Sequence, residues 1–105
     1  MELAQDVSEH ELRQIAGEMQ RRVQVKRRMY YLRPFDDCFM GSEACQWMVS
    51  AGHARNDREA VALGQKMLLA GLFEHMLRDH DFENKELFYR FTLDAVASHG
   101  QARAS

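Results

Sequence analysis

The chain has 105 residues, with 14 Lys and Arg against 16 Asp and Glu and a formal net charge of −2. That length holds one hydrophobic core and leaves no room for a second. Six Phe, three Tyr and one Trp give the core enough bulk to argue against disorder throughout, and no apolar run approaches the roughly 18 residues of a membrane span.

The start, MELAQDVSEHELRQ, is acidic and polar, unlike a signal or transit peptide. Ser8 and Glu11 have the spacing of a capping box. Leu12, Ile15, Met19 and Val23 then recur at three- and four-residue steps, which predicts a helix over residues 9–24. Residues 25–39 read as an irregular β-hairpin arm. Met29, Tyr30, Tyr31 and Leu32 suit a strand, Pro34 with Asp36 and Asp37 is turn chemistry, and Cys38, Phe39 and Met40 form the returning strand. Pro34 keeps the arm from being a central strand.

Gly41 supplies a tight strand-to-helix turn and Ser42 an N-cap for a second helix. This helix carries Ala44, Trp47 and Met48 on one face and stops at Gly52. Asn56 and Glu59 signal a third helix over residues 57–70, with Val61, Gly64, Met67 and Leu68 turned inward. Residues 72–76 are short and β-like. After two polar turn clusters, Leu87, Tyr89 and Phe91 alternate, giving a closing hairpin. Residues 92–99 add at most one helical turn. The fold expected is α+β: a small winged-helix-like domain with a three-helix core, a β-hairpin arm between helices one and two, and a C-terminal β-hairpin. Residues 8–92 form the domain, with 1–7 and 93–105 as weakly ordered ends. Phe39, Gly41, Trp47, Leu68, Phe82, Tyr89 and Phe91 are its expected structural residues.

Charge is unevenly spread. Residues 19–35 hold six cations (Arg21, Arg22, Lys26, Arg27, Arg28, Arg33) and no acid, so the rest of the chain carries −8. Such a polarity points to an oriented contact with something negative. Nucleic acid fits poorly, because a third helix and closing hairpin that docked on phosphate would carry a cationic surplus. Here the third helix sums to zero (Asp57, Glu59, Arg58, Lys66) and the hairpin over residues 77–91 to −1.

Catalytic and metal chemistry have no visible residue set. Cys38 and Cys45 are seven positions apart, unlike the paired ligands of a zinc finger, and two cysteines do not make a secreted disulfide framework. A reducing intracellular compartment is therefore expected. Asp79, Asp81, Glu83 and Glu86 lack the glycine and the terminal glutamate of a calcium loop. No phosphate-binding glycine loop and no Ser/His/Asp constellation is present. No enzyme, no cofactor and no metal are expected.

Three segments in order resemble a known family. LRPFDDCFMGSEACQWM (residues 32–48) is similar to the signature of the DEP domain, REAVALGQKMLLAGLFEHM (58–76) to its third helix and following strand, and DHDFENKELFYRF (79–91) to its closing hairpin. That module is shared by Dishevelled, pleckstrin, regulators of G-protein signalling and cyclic-nucleotide-regulated exchange factors. Ala44 and Cys45 depart from its larger aliphatics, and Gln46 from its common acid. The resemblance implies a non-catalytic module that places a larger signalling protein at a membrane or on a membrane receptor.

The candidate contact residues are Arg22, Lys26, Arg27, Arg28, Tyr30 and Arg33. Cations beside aromatic and aliphatic residues suit an anionic phospholipid surface of the phosphatidic acid or phosphatidylserine type. Three or four such cations, at roughly 1 kcal/mol each, give weak, reversible and salt-sensitive binding. The location expected is cytoplasmic, peripheral at the inner face of a membrane. The alternative is docking of an acidic or phosphorylated receptor tail or a G-protein pathway protein, with Arg making bidentate contacts. Winged-helix DNA binding ranks third. A monomer is expected, with an arm-swapped dimer as the alternative.

Overall fold

The computed structural model describes residues 7–78 and 80–92. The expected weak order of the two ends and the helical turn over 92–99 fall almost wholly outside them. Helix α1 spans Glu9–Arg22. Its capping box is closed: the Ser8 hydroxyl accepts from the Glu11 amide, and the Glu11 carboxylate accepts from the Ser8 amide. Leu12, Ala16 and Met19 face inward. The helix stops at Arg22, short of the expected end, because Val23 turns extended while its N–H still bonds the Met19 carbonyl.

The arm follows as β1 (Lys26–Tyr30) and β2 (Arg33–Met40), paired antiparallel. It bends at Tyr31–Leu32 and not at Pro34–Asp37 as the turn residues implied. Pro34 sits within β2 opposite Met29. It is tolerated there because β2 pairs with β4 only through Phe39 and Met40, so at Pro34 the strand is a free edge needing no donor. The Asp36–Asp37 signal is spent on a bulge. Between the pairs Lys26–Cys38 and Arg28–Phe35, β2 has one residue more than β1, and Asp37 takes the left-handed conformation (φ 57°).

Helix α2 (Gly41–Ser50) starts without a connecting loop, and Ser42 is not its cap. The cap residue is Met40, which offers no side-chain bond. The Gly41 and Ser42 amides instead donate to the Leu87 and Lys85 carbonyls, so the chain leading into β4 caps this helix. Gly41 is required by that close approach, since a Cβ there would overlap the Glu83 carbonyl oxygen. Helix α3 (Asp57–Leu69) is capped by Asn56, whose side chain accepts from the Glu59 amide at 2.9 Å. A Cβ on Gly64 would collide with the Phe82 ring, which packs directly against this helix.

β3 (Phe73–His75) and β4 (Phe88–Phe91) complete an antiparallel sheet of order β1-β2-β4-β3. The result is α+β, three helices with a four-stranded sheet among the described residues. Its core is aromatic. Phe39 meets Phe73 edge-on at 5.2 Å and stacks with Phe91 at 4.6 Å, while Phe82 and Tyr89 close the cluster. Trp47 and Leu68, expected inside, are only partly buried and pack against the core's edge, Trp47 beside the His53 ring at 5.1 Å.

Candidate interaction surface

The arm stands out from the body because only its base is built into the sheet. Opposed residues share a face, so Arg28, Tyr30, Arg33 and Phe35 form one side of the hairpin, and Met29 and Pro34 lie on the other. The first side leans toward the body. Tyr30 and Phe35 line a cleft of about 90 Å³ with Leu77, His80, Leu87 and Phe88.

The six candidate contact residues do not form one surface. Lys26 and Arg27 are exposed on β1. Arg27 is ion-paired across the hairpin with Asp36 at 2.6 Å, each side chain about two-thirds exposed (67% and 62%). Such a pair contributes little to folding and can exchange partners. Arg33 is exposed, its guanidinium over the Phe35 ring at 5.3 Å. Tyr30 is half-exposed and meets Tyr31 edge-on at 4.5 Å. Arg22 lies elsewhere, in a shallow groove between the end of α1 and α2, near Glu43, Gln46 and Trp47.

Arg28 is withdrawn altogether. Its side chain is 6% exposed. Its Nε donates to the Cys38 carbonyl at 3.1 Å, and its Nη2 to the Gln24 carbonyl at 3.0 Å and to the Glu43 carboxylate at 3.2 Å. The guanidinium also lies over the Phe88 ring. This arginine ties the arm's base to the link leaving α1 and to α2, and is unavailable to a partner. Nothing in the basic run singled it out, because its acceptors are two backbone carbonyls and a glutamate fifteen positions away.

The sequence carries no turn signal at the tip. Tyr31 and Leu32 are 87% and 92% exposed, Met29 56%. A hairpin turn is usually signalled by Asn-Gly or Asp-Gly, and Tyr-Leu reads instead as continuing strand.

The buried thiols are held in the protonated form. Burial raises the Cys38 pKa and pushes that of Cys45 up to about 12, so neither is a thiolate nucleophile near neutrality. Burial also raises the Tyr89 phenol to about 12, with its hydroxyl donating to the Asp81 carbonyl. Both acids ionise more readily once unfolded. Stability from these two groups is therefore intact below pH 9 and lost as pH rises toward 12. Urea midpoints should fall across that window, and Cys45→Ala with Tyr89→Phe should flatten the decline. Among the described residues no cluster of three or more His, Cys, Asp or Glu could hold a metal ion, and no helix is long and apolar enough to cross a membrane.

The model of the domain found in Dishevelled, Egl-10 and pleckstrin (DEP) matches residues 22–91. The chain is 36% identical over 70 residues to the human phosphatidylinositol 3,4,5-trisphosphate-dependent Rac exchanger 2 protein, covering 67% of this chain and 4% of that protein. It is 33% identical over 90 residues to the vacuolar membrane-associated protein IML1 of Saccharomyces cerevisiae, covering 82% of this chain and 6% of that one. The chain thus spans a small fraction of these relatives' length. The solution structure of the human pleckstrin DEP domain superposes with a TM-score of 0.57 at 17% identity, over 75% of this chain and 99% of that one.

Proposed function

The chain belongs to the DEP family, and from that premise we propose that it is a non-catalytic signalling module that holds a larger protein peripherally at a membrane. The contact is the hairpin arm, which binds anionic phospholipid of the phosphatidylserine or phosphatidic acid type. One observation carries the reading: exposed Lys26, Arg27 and Arg33 flank the exposed Met29–Leu32 segment on one projection. Charge there meets headgroup phosphate while rings and aliphatic chains reach the boundary. The names of two relatives, a vacuolar membrane-associated protein and an exchanger dependent on an inositol lipid, lend support.

The electrostatic share is smaller than the basic run implied. Arg28 is committed to Glu43, and Asp36 and Asp37 offset part of what remains. At roughly 1 kcal/mol per cation near an anionic surface, the arm supplies a signal that needs a second one, from a neighbouring domain or a receptor. A protein-docking reading draws on the cleft beneath Tyr30 and Phe35, which has the size for an apolar side chain of a bound peptide. Co-sedimentation separates the two. Binding to phosphatidylserine vesicles over phosphatidylcholine vesicles, weakening as salt rises, supports the lipid reading. Equal pelleting with both, or none at low salt, rejects it.

A further inference from the structure

We propose that Tyr31 and Leu32 form an apolar wedge that enters the acyl boundary of an anionic bilayer, held ready by a strained hairpin turn. This rests on the membrane reading above and adds a salt-resistant component to it.

The turn is the unusual feature. Tyr30 pairs with Arg33, so Tyr31 and Leu32 are the whole loop, and both lie in the left-handed region (φ 49° and 64°). That is the pattern of a type I′ turn, which favours Asn-Gly because a Cβ crowds the backbone at positive φ. Here both positions carry large side chains. Neither is buried in the core, and they are the most exposed large apolar residues described. Folding alone would favour small or polar residues at this tip, as would solubility. Strain and exposure thus fall on the same two side chains, which marks them for a function outside the fold.

The gradient along the hairpin indicates a bilayer. Apolar Tyr31 and Leu32 sit at the apex, Tyr30 and Arg33 follow, then Met29 and Pro34, then the Arg27–Asp36 pair with Asp37, and Lys26 opposite Cys38 lies nearest the body. About 3.3 Å per residue places the Arg27 level, four residues from Tyr31, roughly 13 Å behind the apex and Arg33 at roughly 3 Å. An interfacial apolar face buries to about 5–10 Å, so the cations would meet the phosphates as the tip reaches the acyl boundary. The tip is convex and two residues wide, and the acids are kept to its base.

The test is the double variant Tyr31→Asn with Leu32→Gly, which restores the favoured turn chemistry. It should raise the thermal midpoint by about 5 °C and weaken partition into phosphatidylserine-containing vesicles at least about tenfold. Its residual binding should be lost at about 1 M salt, where charges are screened beyond about 3 Å. Independently, an environment-sensitive fluorophore on Leu32→Cys should shift to the blue on vesicle addition; Cys38 and Cys45 are fully buried and escape labelling. Vesicle binding by the double variant equal to that of the wild type, or a fluorophore that stays in water, overturns the wedge. If reversing Lys26, Arg27 and Arg33 still weakens binding in that case, the membrane reading survives and the wedge alone fails. If the unaltered chain binds no vesicles, both fall.

Discussion

Replacing Arg28 with alanine should cost about 3 kcal/mol of stability, read as a lower urea midpoint, while Lys26→Ala two residues away should stay within about 0.5 kcal/mol. The contrast follows from burial. The Arg28 guanidinium donates to two carbonyls and a carboxylate, one in β2, one in the link between α1 and β1, and one on α2. Its removal strips charge-assisted donors from all three acceptors and leaves a void beneath Phe88. Lysine is a poor substitute, since one ammonium cannot reproduce the planar fork that spans them. Reversing Arg28 to glutamate would add a carboxylate beside Glu43 and should unfold the arm's base. A charge-reversal experiment that includes Arg28 would therefore read folding in place of binding.

Phe39→Ala should be the most damaging single truncation, at about 3–5 kcal/mol. The ring is fully buried and contacts Phe73, Tyr89 and Phe91, rings from both strands of the closing hairpin. It is also where β2 leaves the arm and enters the sheet, through the pair Phe39–Tyr89. Truncation leaves a cavity at the junction of arm and body that aromatic neighbours cannot fill by small shifts. Phe39→Leu should recover much of the loss. A thermal midpoint for Phe39→Ala within a few degrees of the wild type would mean that the cluster is not the centre of the fold.

How far the sequence discloses all this depends on where the deciding contacts lie. Capping at Ser8 and Asn56 was legible because donor and acceptor sit three residues apart. The cap of α2 was not, because its carbonyl partners come from residues 85 and 87 and a local pattern cannot show them. Gly41 reads in the sequence as a tight strand-to-helix turn, whereas in the structure it lies against the Glu83 carbonyl, a contact from forty-two residues away that no local pattern shows. In the arm, composition gave the hairpin and its basic character. It misplaced the bend, since Pro and Asp are turn formers by local preference and here an edge position and a bulge absorb them. The same composition could not sort five cations into a buried tie (Arg28), an exchangeable pair (Arg27), exposed charges (Lys26, Arg33) and a neighbour on another surface (Arg22). Burial separates them, and burial is a property of the folded chain.

The most direct measurement is vesicle co-sedimentation of a variant with Lys26, Arg27 and Arg33 changed to glutamate and Arg28 left in place, checked first for a wild-type unfolding midpoint. If the arm is the membrane contact, this folded variant should lose binding to phosphatidylserine vesicles at low salt by about a hundredfold or more, as three cations at roughly 1 kcal/mol each are replaced by anions. A folded variant that pellets with those vesicles as well as the wild type would contradict the claim and move the contact to another face of the domain.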